Sequence, residues 1–237
     1  MATLDTLKWA LRRCAISTSK QPLSDSEYSD GFDTLVQGPG FRVYREFIIP
    51  QLSQLLTPLL NSRAHISVLE IGPGPKSVFG YLPSHQTRKI SRYVAFEPNH
   101  LFATRLEECL RSTSRLESPL PCLESPPDIH RTSFEVDGAT RSGTGSDNEF
   151  DIILFCHSMY GMSPKGKFIE RSLEMLSQQP GGAMVVVFHR DGTLHFDGLV
   201  CHRTVPFPTG VIVVPNVDEI LDRFASFVAG VSRLGPP

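Results

Sequence analysis

Apolar residues follow two patterns along this chain: short unbroken runs, and positions that recur every three or four residues. The runs are Val68-Leu69 with Ile71, Tyr93-Val94-Ala95-Phe96, the largely apolar 150–155, 183–188, and a late one at 211–214, and the more polar residues 129–136 are a further candidate strand. Their length and β-branched content predict strands, largely buried on both faces. The helical repeats are residues 4–15 (Leu4, Leu7, Leu11, Ala15), 41–60 (Val43, Tyr44, Phe47, Ile48, Leu52, Leu55, Leu56, Leu59) and 101–110 (Leu101, Phe102, Leu106, Cys109, Leu110). Two more lie at 164–176 (Phe168, Ile169, Leu173, Leu176) and 219–228 (Ile220, Leu221, Phe224, Phe227). Residues 76–82 form a short crossover helix stopped by Pro83, and Asn99 is placed to cap the helix at 101–110. Pro50 predicts a kink or a join inside 41–60.

Between these elements the chain is polar or turn-rich. Residues 18–29 read as a loop, 28–40 as turn-rich, 84–92 as a polar connection and 112–127 as a proline-rich surface loop. Residues 139–149, rich in Gly, Ser and Thr, predict a mobile loop. Strands alternating with helices predict an α/β fold with a doubly wound, mostly parallel sheet. The helical block before the first strand gives a division into a cap or lid, residues 1–62, and a sheet domain, residues 63–237.

The first strand ends in Glu70-Ile71-Gly72-Pro73-Gly74, and the second in Glu97-Pro98. Glycines one residue apart allow a tight turn and close approach of a ligand to bare backbone. An acid at the next strand end is placed to meet ribose hydroxyls, so this pattern reads as a nucleoside site. A dinucleotide fits it poorly. The third glycine of G-x-G-x-x-G is Ser77 here, and Pro73 and Pro75 remove two N–H groups that a pyrophosphate would use. An unliganded glycine turn remains the plain alternative.

The acid two residues before the first glycine resembles motif I of the class I S-adenosylmethionine-dependent methyltransferases. That resemblance implies S-adenosylmethionine as cofactor, with Glu70 helping to hold its ammonium and Gly72, Pro73 and Gly74 lining it. Glu97 and Pro98 would lie at the ribose, and Asp137, at the end of the third strand, at the adenine amino group. The fourth strand ends in Cys156-His157-Ser158-Met159-Tyr160-Gly161, and since ligands of open α/β sheets sit beyond the strand ends, these side chains, Cys156 and His157 among them, would face the methyl group. Further pieces resemble the histamine N-methyltransferase-like branch: Tyr28 with Phe32, Arg45-Glu46-Phe47, and His157-Ser158-Met159-Tyr160. They imply a small-molecule acceptor bound by Tyr28, Phe32, Glu46 and Tyr160, with Glu46 meeting an amine. Glutamine is usual where this chain has His157. His157 and Tyr160 are the catalytic candidates, His157 as a base for a hydroxyl nucleophile and Tyr160 as an orienting group. Each has a plainer counterpart: Tyr28 and Phe32 as a staple on the core, Glu46 as a solvated helix face, Asp137 as a turn residue, His157 as a backbone partner.

Composition narrows the partners. Of 237 residues 40% are hydrophobic, ample for a core, and the net charge of −2 gives no basic footprint for nucleic acid. No run of eighteen apolar residues exists, so no membrane span is expected. Five cysteines, at 14, 109, 122, 156 and 201, make neither a disulfide framework nor a metal pattern, which fits a reduced, cytoplasmic protein. The family fold adds a closing strand pair after the fifth strand and its helix, and the nine residues after Val228 are too few for one. The expectation is an incomplete sheet edge, covered by residues 211–214 or by a homo- or heterodimer partner, or else a truncated product. Two other functions stay open: an inactive cofactor-binding subunit that supports another methyltransferase, and a dinucleotide-dependent reductase. The reductase would need Tyr-x3-Lys, whereas Tyr160 is followed by Pro164 at that spacing and Lys165 one further.

Overall fold

The structure is a computed structural model that describes Trp9 and residues 24–35, 43–111, 118–136, 149–189, 205–207 and 210–212. The helices expected at 4–15 (Trp9 aside) and 219–228, the loop at 139–148 and Asp137 lie outside these residues. The chain divides into two compact units, Ile49–Arg190 and Met1–Ile48 with Asp191–Pro237.

The first unit holds the sheet. Helix α2 (Ile49–Ser62) leads into β1 (Ile66–Ile71); β2 (Ile90–Phe96), β3 (Asp128–His130), β4 (Ile152–Cys156) and β5 (Met184–Phe188) follow. The order is β3-β2-β1-β4-β5 and every pairing is parallel. The fold is therefore the doubly wound α/β arrangement that the alternation of runs predicts, with the chain reversing its direction of travel across the sheet between β1 and β4. All five residues of β4 are buried, as a central strand covered on both faces must be. One face carries Leu69, Ile71, Val94, Ile153 and Phe155, packed with Phe134, Met159 and Met175. Ser84–Thr87 (α3) packs on α2, where the Gln86 amide donates to the Ser53 carbonyl and the Thr57 hydroxyl.

Several expectations need correcting. The crossover after β1 is a four-residue 3-10 turn, Val78–Tyr81, rather than a helix over 76–82, because Ser77 caps Phe79 and Pro83 interrupts four residues on. The third strand is three residues long, not eight. After His130 the chain leaves the sheet, with the Arg131 guanidinium bonded to Thr104 and Glu107 of α4 (His100–Leu110), and Phe134 enters the core beside Phe96 and Phe155. Asn99 caps α4 as expected, its side chain accepting from the Leu101 and Phe102 N–H groups, but Leu101 itself faces solvent. Helix α5 (Lys165–Glu174) turns Leu173 outward and buries Met175 just beyond its end. Phe47 and Leu55 are likewise exposed, so the stripe over 41–60 narrows to Ile48, Leu52, Leu56, Leu59 and Leu60. Pro50 does mark a join: Tyr44–Ile48 is a π turn, and α2 begins at Ile49. Lacking an N–H, Pro50 cannot complete the bond to the residue four before it.

In the second unit, residues 25–35 are helical (α1, Asp25–Leu35), not loop and turn. Ser24 and Glu27 form a capping box: Ser24 N–H and hydroxyl donate to Glu27 Oε2 at 2.9 and 2.8 Å, and Glu27 N–H donates back to Ser24 Oγ at 3.3 Å. Those bonds hold the Glu27 carboxyl below its ordinary pKa. Val205–Phe207 (β6) and Gly210–Ile212 (β7) pair antiparallel as a separate two-stranded sheet, so the expected run at 211–214 pairs with β6 in the described residues, not with β5. No helix among the described residues is long and apolar enough to cross a membrane.

The amino-terminal edge of the sheet is tied by one ion pair. Arg63 and Asp151 are joined with side chains only 8% and 10% exposed. Asp151 Oδ2 also accepts from the Ser67 N–H at 2.7 Å, and Arg63 donates to the carbonyls of Gln179 and Gly182. The entries of β1, β4 and β5 thus share one guanidinium. Removing one member of a buried pair strands the other, so Asp151→Ala is expected to destabilise by about 3–5 kcal/mol in urea unfolding.

Candidate functional site

β1 stops in the glycine turn. Gly72 and Gly74 have φ of 63° and 72°, the left-handed region that disfavours a Cβ. Gly72 N–H still donates to the Phe96 carbonyl at 2.8 Å, so the ladder with β2 continues into the turn. A Cβ added at Gly72 would lie 2.7 Å from the Ser158 Cβ. The close approach that the bare backbone permits is therefore made, at this residue, by the loop after β4.

Beneath the turn lies Glu70, fully buried. Its Oε2 accepts from the Ser77 hydroxyl at 2.6 Å and the Tyr93 hydroxyl at 2.7 Å, and its Oε1 from the Val78 N–H at 3.1 Å. These donors come from β2 and from both sides of the 3-10 turn entry. Glu70 thus fastens the turn to the sheet, and in this arrangement its carboxylate faces protein donors instead of a ligand's ammonium. Burial pushes its pKa up; the three hydrogen bonds oppose that shift and the nearby Glu97 charge adds to it. Burial also drives the Tyr93 phenol far above its ordinary value, helped by the negative charge of Glu70.

Glu97, at the end of β2, is also buried. Its Oε2 accepts from the Gly74 N–H at 2.8 Å and its Oε1 from the Asn99 N–H at 2.9 Å. One carboxylate therefore spans the glycine turn and the start of α4. Pro73 is half-buried and Pro98 exposed beside it.

The third part lies after β4. Cys156, its last residue, is buried, and His157 comes next with φ of 55°, a left-handed conformation that a histidine holds at some strain. The His157 N–H donates to the Phe188 carbonyl at 2.8 Å, which pins the loop to β5. The His157 Nδ1 lies 3.2 Å from the Tyr160 hydroxyl, with the two rings near parallel. So the two residues expected to be catalytic are brought together. Tyr28, Phe32 and Glu46 belong to the other compact unit. Tyr28 and Phe32 sit four residues apart on α1, half-buried, and Glu46 is exposed in the π turn, 3.7 Å from Arg45.

Sequence patterns did not single out three further residues. Ser158 presses on Gly72, and its buried Oγ has no hydrogen-bond partner among the described residues. Lys165, the first residue of α5, places its Nζ 2.9 Å from His189 Nε2, and the His189 ring tilts against Tyr160 at 4.8 Å. Ser158 could have been found as the side chain facing a motif glycine; Lys165 and His189 meet only because β4 and β5 pair.

Glu70 gives the site a pH signature. Its folded pKa is raised, so the folded chain holds that proton more tightly than the unfolded chain does. The resulting stability is complete below the ordinary value of 4.5 and is lost as pH rises through the folded value. Glu70→Gln lacks this titration. Its unfolding free energy, measured by urea across pH 4.5 upward, is expected to gain on the wild type as pH rises, whatever constant offset the altered hydrogen bonds introduce.

No protein-family model matches the chain, and no curated protein matches it either. Solved structures with partial likeness include the plantazolicin methyltransferase BpumL in complex with S-adenosylhomocysteine and a plantazolicin analogue: 14% identity over 95% of this chain and 71% of that one, TM-score 0.44. The N-methyltransferase NodS from Bradyrhizobium japonicum is 20% identical over 58% of this chain and 66% of that one, TM-score 0.38. The YcgJ protein from Bacillus is 13% identical over 56% of this chain, TM-score 0.37, and this chain spans about half of its length, 48%.

Proposed function

We propose that this chain is an S-adenosylmethionine-dependent methyltransferase acting on a nitrogen or oxygen nucleophile of a small molecule. The observation that carries the reading is the pair of buried carboxylates, Glu70 and Glu97, at the carboxyl ends of adjacent parallel strands, fastened on either side of a turn with two left-handed glycines. Ligands of open α/β sheets sit beyond those strand ends, near the reversal in strand order, which here falls between β1 and β4. Two buried acids there favour a cationic nucleoside. The dinucleotide alternative is disfavoured by the segment after the turn: four residues of 3-10 structure offer no helix N-terminus for a diphosphate.

The residues fit the cofactor. In this reading Glu97, which also holds the Gly74 and Asn99 N–H groups, would meet ribose hydroxyls, the turn backbone would flank the ligand, and the Ser158 hydroxyl, packed on Gly72, would meet a polar group of it. Bound there, the cofactor supplies a methyl group on a sulfonium, already a good leaving group. The chain then has mainly to align an acceptor. In the tautomer that donates Nδ1–H to Tyr160, His157 keeps its lone pair on Nε2, the form that accepts a proton from a hydroxyl nucleophile. A neutral amine acceptor needs no base. An inactive cofactor-binding subunit would keep the turn and both acids and fail only in turnover.

Calorimetry with S-adenosylmethionine, S-adenosylhomocysteine and NADPH tests the reading, with binding of the first two and not the third as the expected result. Glu97→Ala is expected to weaken S-adenosylmethionine binding by about 1.5–3 kcal/mol, the range for hydrogen bonds to a charged group; unchanged affinity rejects the ribose assignment. His157→Ala should lower turnover far more than cofactor affinity. His157→Gly, which relieves the left-handed backbone, should match that loss and melt no lower than the alanine variant. Equal loss of turnover and affinity would remove His157 from the catalytic list.

A further inference from the structure

The two sides of the site differ in charge. Beyond β1 and β2 stand Glu70 and Glu97. Beyond β4 and β5 stand His157, Tyr160, Lys165 and His189, and the chain carries no Asp or Glu from His157 to Ile169. The contact between Gly72 and Ser158 makes the two sides neighbours. On the second side Lys165 and His189 have no role in holding the turn or the cofactor.

Their geometry fixes what they can bind. A lysine ammonium only donates hydrogen bonds, so a contact of 2.9 Å makes His189 Nε2 the acceptor and leaves that imidazole neutral, its proton on Nδ1. The ammonium has three N–H groups, and Lys165 is exposed, so two more donors face outward beside the rings of His189 and Tyr160. Tyr160 is 42% exposed and presents an aromatic surface next to that charge. A flat molecule could lie on this surface with an anionic group at Lys165 and its nucleophile toward the His157–Tyr160 pair.

We propose that Lys165 and His189 bind the methyl acceptor and select a small planar molecule bearing a carboxylate. This rests on the methyltransferase reading, in which a cationic donor occupies the acidic side and an anionic acceptor the basic side. Selection is then by opposite charge across one strand end. Lys165 is a specificity residue here; the proton of a hydroxyl acceptor goes to His157.

Saturation-transfer NMR with a fragment set built as matched aromatic carboxylates, their amides and the corresponding amines tests the proposal, with and without S-adenosylhomocysteine. Carboxylates should dominate the binders. Lys165→Met should weaken them at least tenfold, Lys165→Arg should largely retain them, and Lys167→Met, which removes an equal charge two residues on, should leave them unchanged. The proposal is overturned if amides bind as well as acids, if no carboxylate binds, or if Lys165→Met has no effect or one that Lys167→Met reproduces. Cofactor calorimetry on the wild type separates the two failures. Absent S-adenosylmethionine binding sinks the methyltransferase reading, whereas intact cofactor binding with no preference for acids sinks only the acceptor assignment.

Discussion

A carboxylate buried in a parallel sheet is the constraint on which the rest of this site depends. Glu70 has no contact with water, and its charge is tolerated because Ser77, Tyr93 and the Val78 N–H converge on it. Those three donors lie on different segments, so satisfying one carboxylate fixes the glycine turn, the chain leaving it and the neighbouring strand together. Glu97 repeats the device one layer higher, through Gly74 and Asn99. The turn is rigid because its backbone donors end on fixed acids.

That rigidity has a charge. The Glu97 charge lies near enough to disfavour ionisation of Glu70, and the donors gathered on Glu70 are neutral hydroxyl and amide groups. In the proposed reading, a cationic ligand at the turn would meet carboxylates already fixed in place, the preorganisation that lets a small site bind without rearranging. The loop after β4 supplies the opposite surface through strain and aromatic contact instead of buried charge: His157 is held left-handed, Tyr160 and His189 lie against it in series, and Lys165 closes the row.

The fold was largely legible in the sequence, for a physical reason. Strands buried on both faces read as near-continuous apolar runs, and most of β1, β2 and β4, with the half-buried β5, stands out as such. The third strand was overestimated because residues 129–136 read as one segment ending at the Asp137-Gly138 turn, yet Arg131 turns the chain toward α4 and Phe134 packs beside the sheet instead of within it. Helix α1 was missed because Asp and Gly in its middle weigh toward turns, while the capping box that nucleates it depends on the pairing of Ser24 with Glu27. In the site, Glu70, Gly72, Gly74 and Glu97 could be read because their spacing is local. The role of Glu70 could not, since Tyr93 and Ser77 reach it only after β1 and β2 pair. Lys165 and His189 are 24 residues apart and meet for the same kind of reason.

The Arg63–Asp151 pair lies at the opposite end of the strands from all of this. Because one guanidinium gathers the entries of β1, β4 and β5, this tether is concentrated at one pole and the candidate site at the other. Loops beyond the carboxyl ends of the strands can therefore change in length and composition while the anchored pole keeps the strands in register.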